Sequence, residues 1–150
     1  MGVVNASNAV IPHMWEHRGG SIVNISSTAA FPLPITNSEP VADDAPPPRV
    51  DPSGYGLTKW MLIHHTRQMA RSLGPRNIRV NAVCPGVTMS PATKAVVPGA
   101  IVNLLVDAAA LHSTLEPEDM TGIVLFLASD DSTKMTGQTI INDAGTVFAG

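Results

Sequence analysis

Tyr55 and Lys59 stand four residues apart in the segment Tyr55-Gly56-Leu57-Thr58-Lys59. On a helix that spacing brings a phenol and an ammonium to one face. A neighbouring cation favours phenolate over phenol, which suits the phenol to giving and taking a proton at a carbonyl oxygen. The serine pair Ser26-Ser27 lies upstream, at the end of a strand-like run. If that strand persists, its alternation sends Ser26 and Ser27 to opposite sides. By itself, Ser27 reads rather as a strand-end hydroxyl capping the following turn.

Other reactive side chains form weaker constellations. His13 and His17 can share a helix face, but Glu16 is out of place for a His-Glu-x-x-His zinc motif and a third ligand is not evident, so no metal site is expected. His64 and His65 are adjacent and point apart on a helix, one half-buried and one exposed. Cys84, the single cysteine, lacks a recognisable base and reads as a buried, inert thiol. Asp43-Asp44 read as solvent-facing loop charges.

The elements that must hold these groups follow from periodicity. Val3, Val4, Val10, Ile11, Met14 and Trp15 predict a helix over 3–17, which Gly19-Gly20 stops. Ser21 to Ser26 is short, rich in β-branched residues and nearly continuous, as in a parallel strand covered on both faces. The segment from Phe31 to Pro52 holds seven of the 13 prolines and predicts a loop. A helix is expected over 54–73, with Leu57, Met61, His65, Met69 and Leu73 along one stripe and Gly74-Pro75 ending it. Ile78 to Cys84 predicts a second strand, closed by the turn Pro85-Gly86. Helices are expected over 95–111 and 118–127, and a last strand at Thr139-Ile140-Ile141. Helices of this length connecting strands imply an α/β fold: a three-layer, partial Rossmann-like parallel sheet with flanking helices.

Composition narrows the functional classes. With 150 residues, 44% of them hydrophobic, and a mean hydropathy of +0.15, the chain can bury one core, so a single domain spanning 1–150 is expected. A net charge of −3 without a basic stripe argues against nucleic acid. One cysteine excludes an internal disulfide and fits a reducing, cytoplasmic setting. A secretory opening and an apolar stretch near membrane-spanning length are both missing, so no membrane partner is expected. Asn5-Ala6-Ser7 and Asn24-Ile25-Ser26 match the glycosylation triplet by chance, since Asn24 falls inside a strand expected to be buried.

Across nearly its whole length the chain resembles the catalytic and C-terminal portion of the short-chain dehydrogenase/reductase family. The resemblance rests on Gly20-Ser21-Ile22-Val23-Asn24-Ile25-Ser26-Ser27, on Tyr55-Gly56-Leu57-Thr58-Lys59, and on Asn77-Ile78-Arg79-Val80-Asn81-Ala82-Val83-Cys84-Pro85-Gly86. Pro117-Glu118-Asp119, Phe126-Leu127-Ala128-Ser129, Thr136-Gly137-Gln138 and Asp143-Ala144-Gly145 follow in order. The resemblance implies an NAD- or NADP-dependent oxidoreductase interconverting an alcohol and a ketone by hydride transfer. Ser27 would hydrogen-bond the reacting oxygen, Tyr55 would donate or accept the proton, and Lys59 would favour the phenolate while holding the nicotinamide ribose. Pro85, Gly86 and Val87 would pass the nicotinamide, with Ser90 where a threonine commonly meets the cofactor amide. Chemistry agrees: a hydroxyl donor at an oxygen gaining negative charge contributes about 3 kcal/mol, roughly a hundredfold in rate.

The chain departs from the family pattern in three places. The Gly-rich turn that binds the cofactor pyrophosphate and the later Asn-Ala-Gly segment are absent, and the first residues look like the family's central helix already under way, so truncation or loss of the nucleotide half is expected. Residues 34–50 read as an insertion beside the substrate mouth. Alanine at 144 replaces a glycine, which would crowd the turn if a positive φ is required there. The substrate, a small alcohol or carbonyl compound, would be shaped by Phe31 to Val50 and Met89 to Leu111, whose apolar content suggests an uncharged or partly hydrophobic molecule. The resemblance implies a homo-oligomer paired through helices 3–17 and 54–73, with the C-terminal strand region as a second interface. An oligomerising interaction module without catalysis is the alternative reading.

Overall fold

The computed structural model describes residues 2–32, 44–45 and 54–148. Its elements are α1 (Gly2–His17), β1 (Gly20–Ile25), α2 (Tyr55–Leu73), β2 (Ile78–Pro85), α3 (Pro91–Val96), α4 (Gly99–Ala108), α5 (Thr121–Ala128) and β3 (Thr139–Asn142). The strands form one parallel sheet in the order β1-β2-β3, with Gly20 opposite Ile78, Ile25 opposite Val83 and Pro85 opposite Asn142.

Strand alternation sorts the sheet into two faces. Ile78 and Val80 of β2 pack with Met69, Ala70 and Leu73 of α2, joined by Ile11 and Met14 of α1 and Ile22 of β1. On the same face Asn24 Nδ2 donates to Thr66 Oγ1 at 2.9 Å, both side chains buried, as expected for an asparagine inside a covered strand. Ser21 of β1 and Arg79 of β2 take the opposite face, toward α5. There Arg79 is buried; its Nη1 donates to the Leu127 carbonyl and to Ser132 Oγ, each at 2.8 Å, and its Nη2 to the Ser129 carbonyl at 2.9 Å. The guanidinium thus closes the carboxyl end of α5, where carbonyls lack partners within the helix. Helices on both faces of a parallel sheet make the expected three-layer α/β architecture.

Three expectations about the elements need correction. The single helix expected over 95–111 is two, α3 and α4, because Pro98 cannot continue a helix; it precedes the first residue of α4, and Leu111 lies beyond its end. The helix expected over 118–127 opens as a 3₁₀ turn, Pro117–Met120, and becomes α-helical only from Thr121 to Ala128. The stripe along α2 fails at its amino end, where Leu57 is 60% and Met61 58% exposed. A strict four-residue repeat drifts by about 40° per step on a helix of 3.6 residues per turn, so four steps back from Leu73 reach nearly the opposite side. The buried face is Ile63, Thr66, Met69, Ala70 and Leu73.

The turn after β3 bears out the suspicion about Ala144, which adopts φ +59°. Asp143 holds that turn: its buried carboxylate accepts from the backbone N–H groups of Gly145 at 2.9 Å and Val147 at 2.7 Å. The expected insertion at 34–50 falls outside the described residues except for Asp44 and Ala45, both exposed.

Candidate active site

The carboxyl ends of β1 and β2 and the first turn of α2 converge. The ladder runs from Gly20 to Ile25 against Ile78 to Val83, and Ser26 N–H still donates to the Val83 carbonyl at 2.7 Å. Ser26 therefore keeps the even-numbered face and is buried under α2, where its Oγ donates to the Lys59 carbonyl at 2.8 Å. Ser27 turns the other way. Its backbone is extended, and its Oγ caps the 3₁₀ turn Thr28–Ala30 by accepting from Ala29 N–H at 3.2 Å. Among the described residues nothing accepts the Ser27 hydroxyl proton.

Tyr55 is the first residue of α2 and is 49% exposed. Gly54, at φ +63°, turns the chain into the helix, and its carbonyl accepts from Thr58 N–H at 3.0 Å. A left-handed residue at that junction is a glycine position, since a Cβ there is strained. One turn on, Lys59 places its ammonium 5.5 Å from the centre of the Tyr55 ring and donates to the Ile25 carbonyl at 3.1 Å.

Ser27, Tyr55, Gly86 and Val87 border one cavity of about 450 Å³. Gly86 reaches it because β2 and β3 close tightly: a Cβ at Gly86 would stand 2.8 Å from Asp143 Cβ and 2.9 Å from its Cα. The other site residues expected from sequence are not among those bordering this cavity. Lys59 borders a separate hollow between α1 and α2. The Pro85 carbonyl accepts from Thr28 Oγ1 at 3.2 Å. Ser90 caps α3, accepting from Thr93 N–H at 3.1 Å and pairing with Thr93 Oγ1 at 3.0 Å. A larger hollow, about 790 Å³, around Leu111 and Phe148 contains none of these residues.

Of the two segments expected to shape the pocket, Met89 to Leu111 contributes Ala92, Thr93, Val96, Val97 and Leu105. Thr28 and Thr146 also border it and were not anticipated. Thr28 adjoins Ser27, a signal of proximity the sequence did carry; Thr146 is brought in only by the turn that Asp143 organises.

The remaining candidates do not border this cavity. Burial pushes the Cys84 thiol above its ordinary range, against smaller opposing effects of the Ser26 hydroxyl, the Ser27 backbone and the Lys59 charge. His17 Nδ1 lies 2.7 Å from the His13 carbonyl, and no metal-holding cluster exists among the described residues. His64 is exposed and His65 half-buried. No described helix is long and apolar enough to cross a membrane.

The fold is a three-layer α/β sheet, and comparison with known proteins specifies the class. Residues 48–147 match the family model described as enoyl-(acyl carrier protein) reductase. The chain is 36% identical over 147 residues to an uncharacterized oxidoreductase of Mycobacterium tuberculosis, covering 98% of this chain and 52% of that protein. It is 35% identical to the 3-oxoacyl-[acyl-carrier-protein] reductase FabG of Thermotoga maritima, covering 98% and 53%. Among solved structures, a Brucella melitensis 3-oxoacyl-[acyl-carrier protein] reductase with bound NAD superposes with a TM-score of 0.76 at 33% identity, covering 99% of this chain and 48% of that one. The chain belongs to the short-chain dehydrogenase/reductase family, and it spans about half the length of the curated relatives it matches.

Proposed function

We propose that this chain carries the proton-transfer half of an NAD- or NADP-dependent oxidoreductase that interconverts an alcohol and a ketone, acting in the cytoplasm on a small molecule. The observation that carries the reading is the opening of Ser27 and Tyr55 into one cavity, with the Lys59 ammonium 5.5 Å from the Tyr55 ring. The Ser27 hydroxyl donates to the substrate oxygen while one of its two lone pairs accepts from Ala29 N–H. Tyr55 gives its proton to that oxygen in reduction and takes it back in oxidation, with the Lys59 ammonium close to its ring.

The residues present fit the nicotinamide end of the cofactor. Among the described residues Lys59 Nζ donates one hydrogen bond, to Ile25, which leaves further N–H groups for a ribose hydroxyl, and Gly86 and Val87 border the cavity. When bound, the nicotinamide supplies or accepts the hydride. No described residue is assigned to the pyrophosphate, so binding of either dinucleotide by these 150 residues is expected to be weak.

Assay of the protein with both nicotinamides against alcohols and ketones, beside Tyr55→Phe, tests the reading. Loss of the proton donor should lower turnover by roughly a hundredfold to ten-thousandfold. Undiminished turnover in Tyr55→Phe would overturn the assignment.

A second reading, an oligomerising interaction module, draws support from the outer face of α2, where Leu57, Trp60 and Met61 are all more than half exposed beside α1. Light scattering should show a homo-oligomer; a stable monomer at high micromolar concentration would remove that support.

A further inference from the structure

We infer that Thr28 is a positioning residue of the site: its hydroxyl takes the place of the last rung of the β1–β2 ladder and so fixes Ser27 against the Pro85-Gly86 peptide. This rests on the proposed alcohol–ketone reading and names a residue that serves it through its neighbours.

In a parallel pair the rungs recur at every second residue of each strand. Ser26 N–H donates to the Val83 carbonyl at 2.7 Å, with Ile25 opposite Val83. In that register the next two rungs would run from the N–H of residue 85 to the Ser26 carbonyl and from the N–H of residue 28 to the Pro85 carbonyl. The first is impossible, because proline has no N–H. The second is lost to the backbone, because the chain leaves the sheet at Ser27 for the 3₁₀ turn Thr28–Ala30. The Thr28 side chain supplies it instead. Thr28 is buried, 6% exposed, and its Oγ1 donates to the Pro85 carbonyl at 3.2 Å.

Two consequences meet at the cavity. Ser27 lies between two anchored residues, Ser26 held to Val83 and Thr28 held to Pro85, and its Oγ accepts from Ala29 N–H inside the turn that Thr28 opens. On the other strand, the Pro85 carbonyl and the Gly86 N–H belong to one planar peptide. The Gly86 N–H donates to the Asn142 carbonyl of β3 at 3.0 Å, so that peptide is held at both edges, by Thr28 and by β3. Ser27, Thr28, Gly86 and Val87 all border the cavity. The placement of the Ser27 hydroxyl relative to Gly86 and Val87 therefore depends on the Thr28 hydroxyl, and a donor misplaced from the reacting centre lowers rate more than binding.

Amide hydrogen exchange, followed residue by residue by NMR on the chain without ligand, provides a test independent of turnover. Thr28→Val removes the hydroxyl and keeps the branched shape. Thr28→Ser and Thr28→Ala both lack the methyl group and differ in the hydroxyl alone, so this pair decides if the valine variant does not fold. Exchange at Gly86 N–H should accelerate roughly twofold to tenfold in Thr28→Val and Thr28→Ala and stay near the parent rate in Thr28→Ser. The amides of Thr66 and Ala70 in α2 should keep their rates. With NADH and cyclohexanone, at matched folded fraction, kcat should fall roughly tenfold in the valine and alanine variants while KM for the ketone is nearly unchanged, and serine should restore it. A general loss of stability would give neither that split nor that rescue. Unchanged Gly86 exchange in the variants without the hydroxyl, acceleration shared equally by α2, or serine behaving as alanine would overturn the inference. A parent chain without turnover whose Gly86 exchange responds as expected would fail the redox reading alone; turnover with Gly86 exchange unmoved would fail the positioning role alone.

Discussion

Ser26 and Lys59 are joined by a reciprocal clamp: Ser26 Oγ donates to the Lys59 carbonyl at 2.8 Å, and the Lys59 ammonium donates back to the carbonyl of Ile25, the residue before Ser26, at 3.1 Å. The end of β1 and the first turn of α2 are thereby held in one relative position. Ser27 and Tyr55, which sit on those two elements, are held with them. The two adjacent serines therefore do different work, one anchoring and one facing the cavity.

That division predicts opposite phenotypes. Ser26→Ala removes a buried hydrogen bond and should lower stability by about 1 kcal/mol in denaturant unfolding. Ser27→Ala loses only a 3.2 Å cap on a one-turn element, so its stability should change less, while turnover should fall roughly a hundredfold. Equal loss of turnover in both variants would contradict the assignment of the donor to Ser27.

Gly54 is the hinge by which the chain enters α2. Its Cβ position is open, with nothing within 4 Å, so the strain of Gly54→Ala is conformational and should cost about 1 kcal/mol, arising from φ +63°. Gly54→Asn should cost less, because asparagine tolerates the left-handed region. Thermal unfolding of the two variants gives the comparison; alanine proving the milder change would exclude the left-handed geometry.

Arg79 supports α5 from beneath. Arg79→Met keeps the length of the stem but removes three hydrogen bonds at the helix end, and should destabilise the fold by about 2 to 3 kcal/mol. Hydrogen exchange should rise first over 121–132. Unchanged exchange there would show that the helix end holds without the guanidinium.

Cys84 supplies a pH dependence. Burial raises the folded thiol above its unfolded value, so the unfolded chain ionises first as pH increases. The contribution is intact below the unfolded thiol value of about 8.5 and is lost as pH rises from there toward the folded value. Urea unfolding at pH 7 and pH 10 should show a loss that Cys84→Ala, despite its own packing cost, does not share. Native protein should also react with a thiol reagent only as fast as it opens; immediate labelling would contradict the burial.

Much of the site was legible because its signals are local. Four-residue spacing places Tyr55 beside Lys59 on any helix, strand alternation separates Ser26 from Ser27, and Pro85-Gly86 ends β2 wherever that strand lies. The missing glycine at 144 was likewise readable, since the demand for positive φ belongs to one residue's backbone. Tertiary structure decided what depends on partners distant in the chain. The buried face of α2 follows the sheet rather than the four-residue repeat, which drifts around the helix. Arg79, of a residue type mostly found exposed, is buried because the end of α5 offers acceptors about 50 residues away in the chain. Thr146 meets Ser27 at one cavity because the parallel register of β1, β2 and β3 brings their carboxyl ends together, a relationship set by packing between elements and carried by no single stretch of sequence.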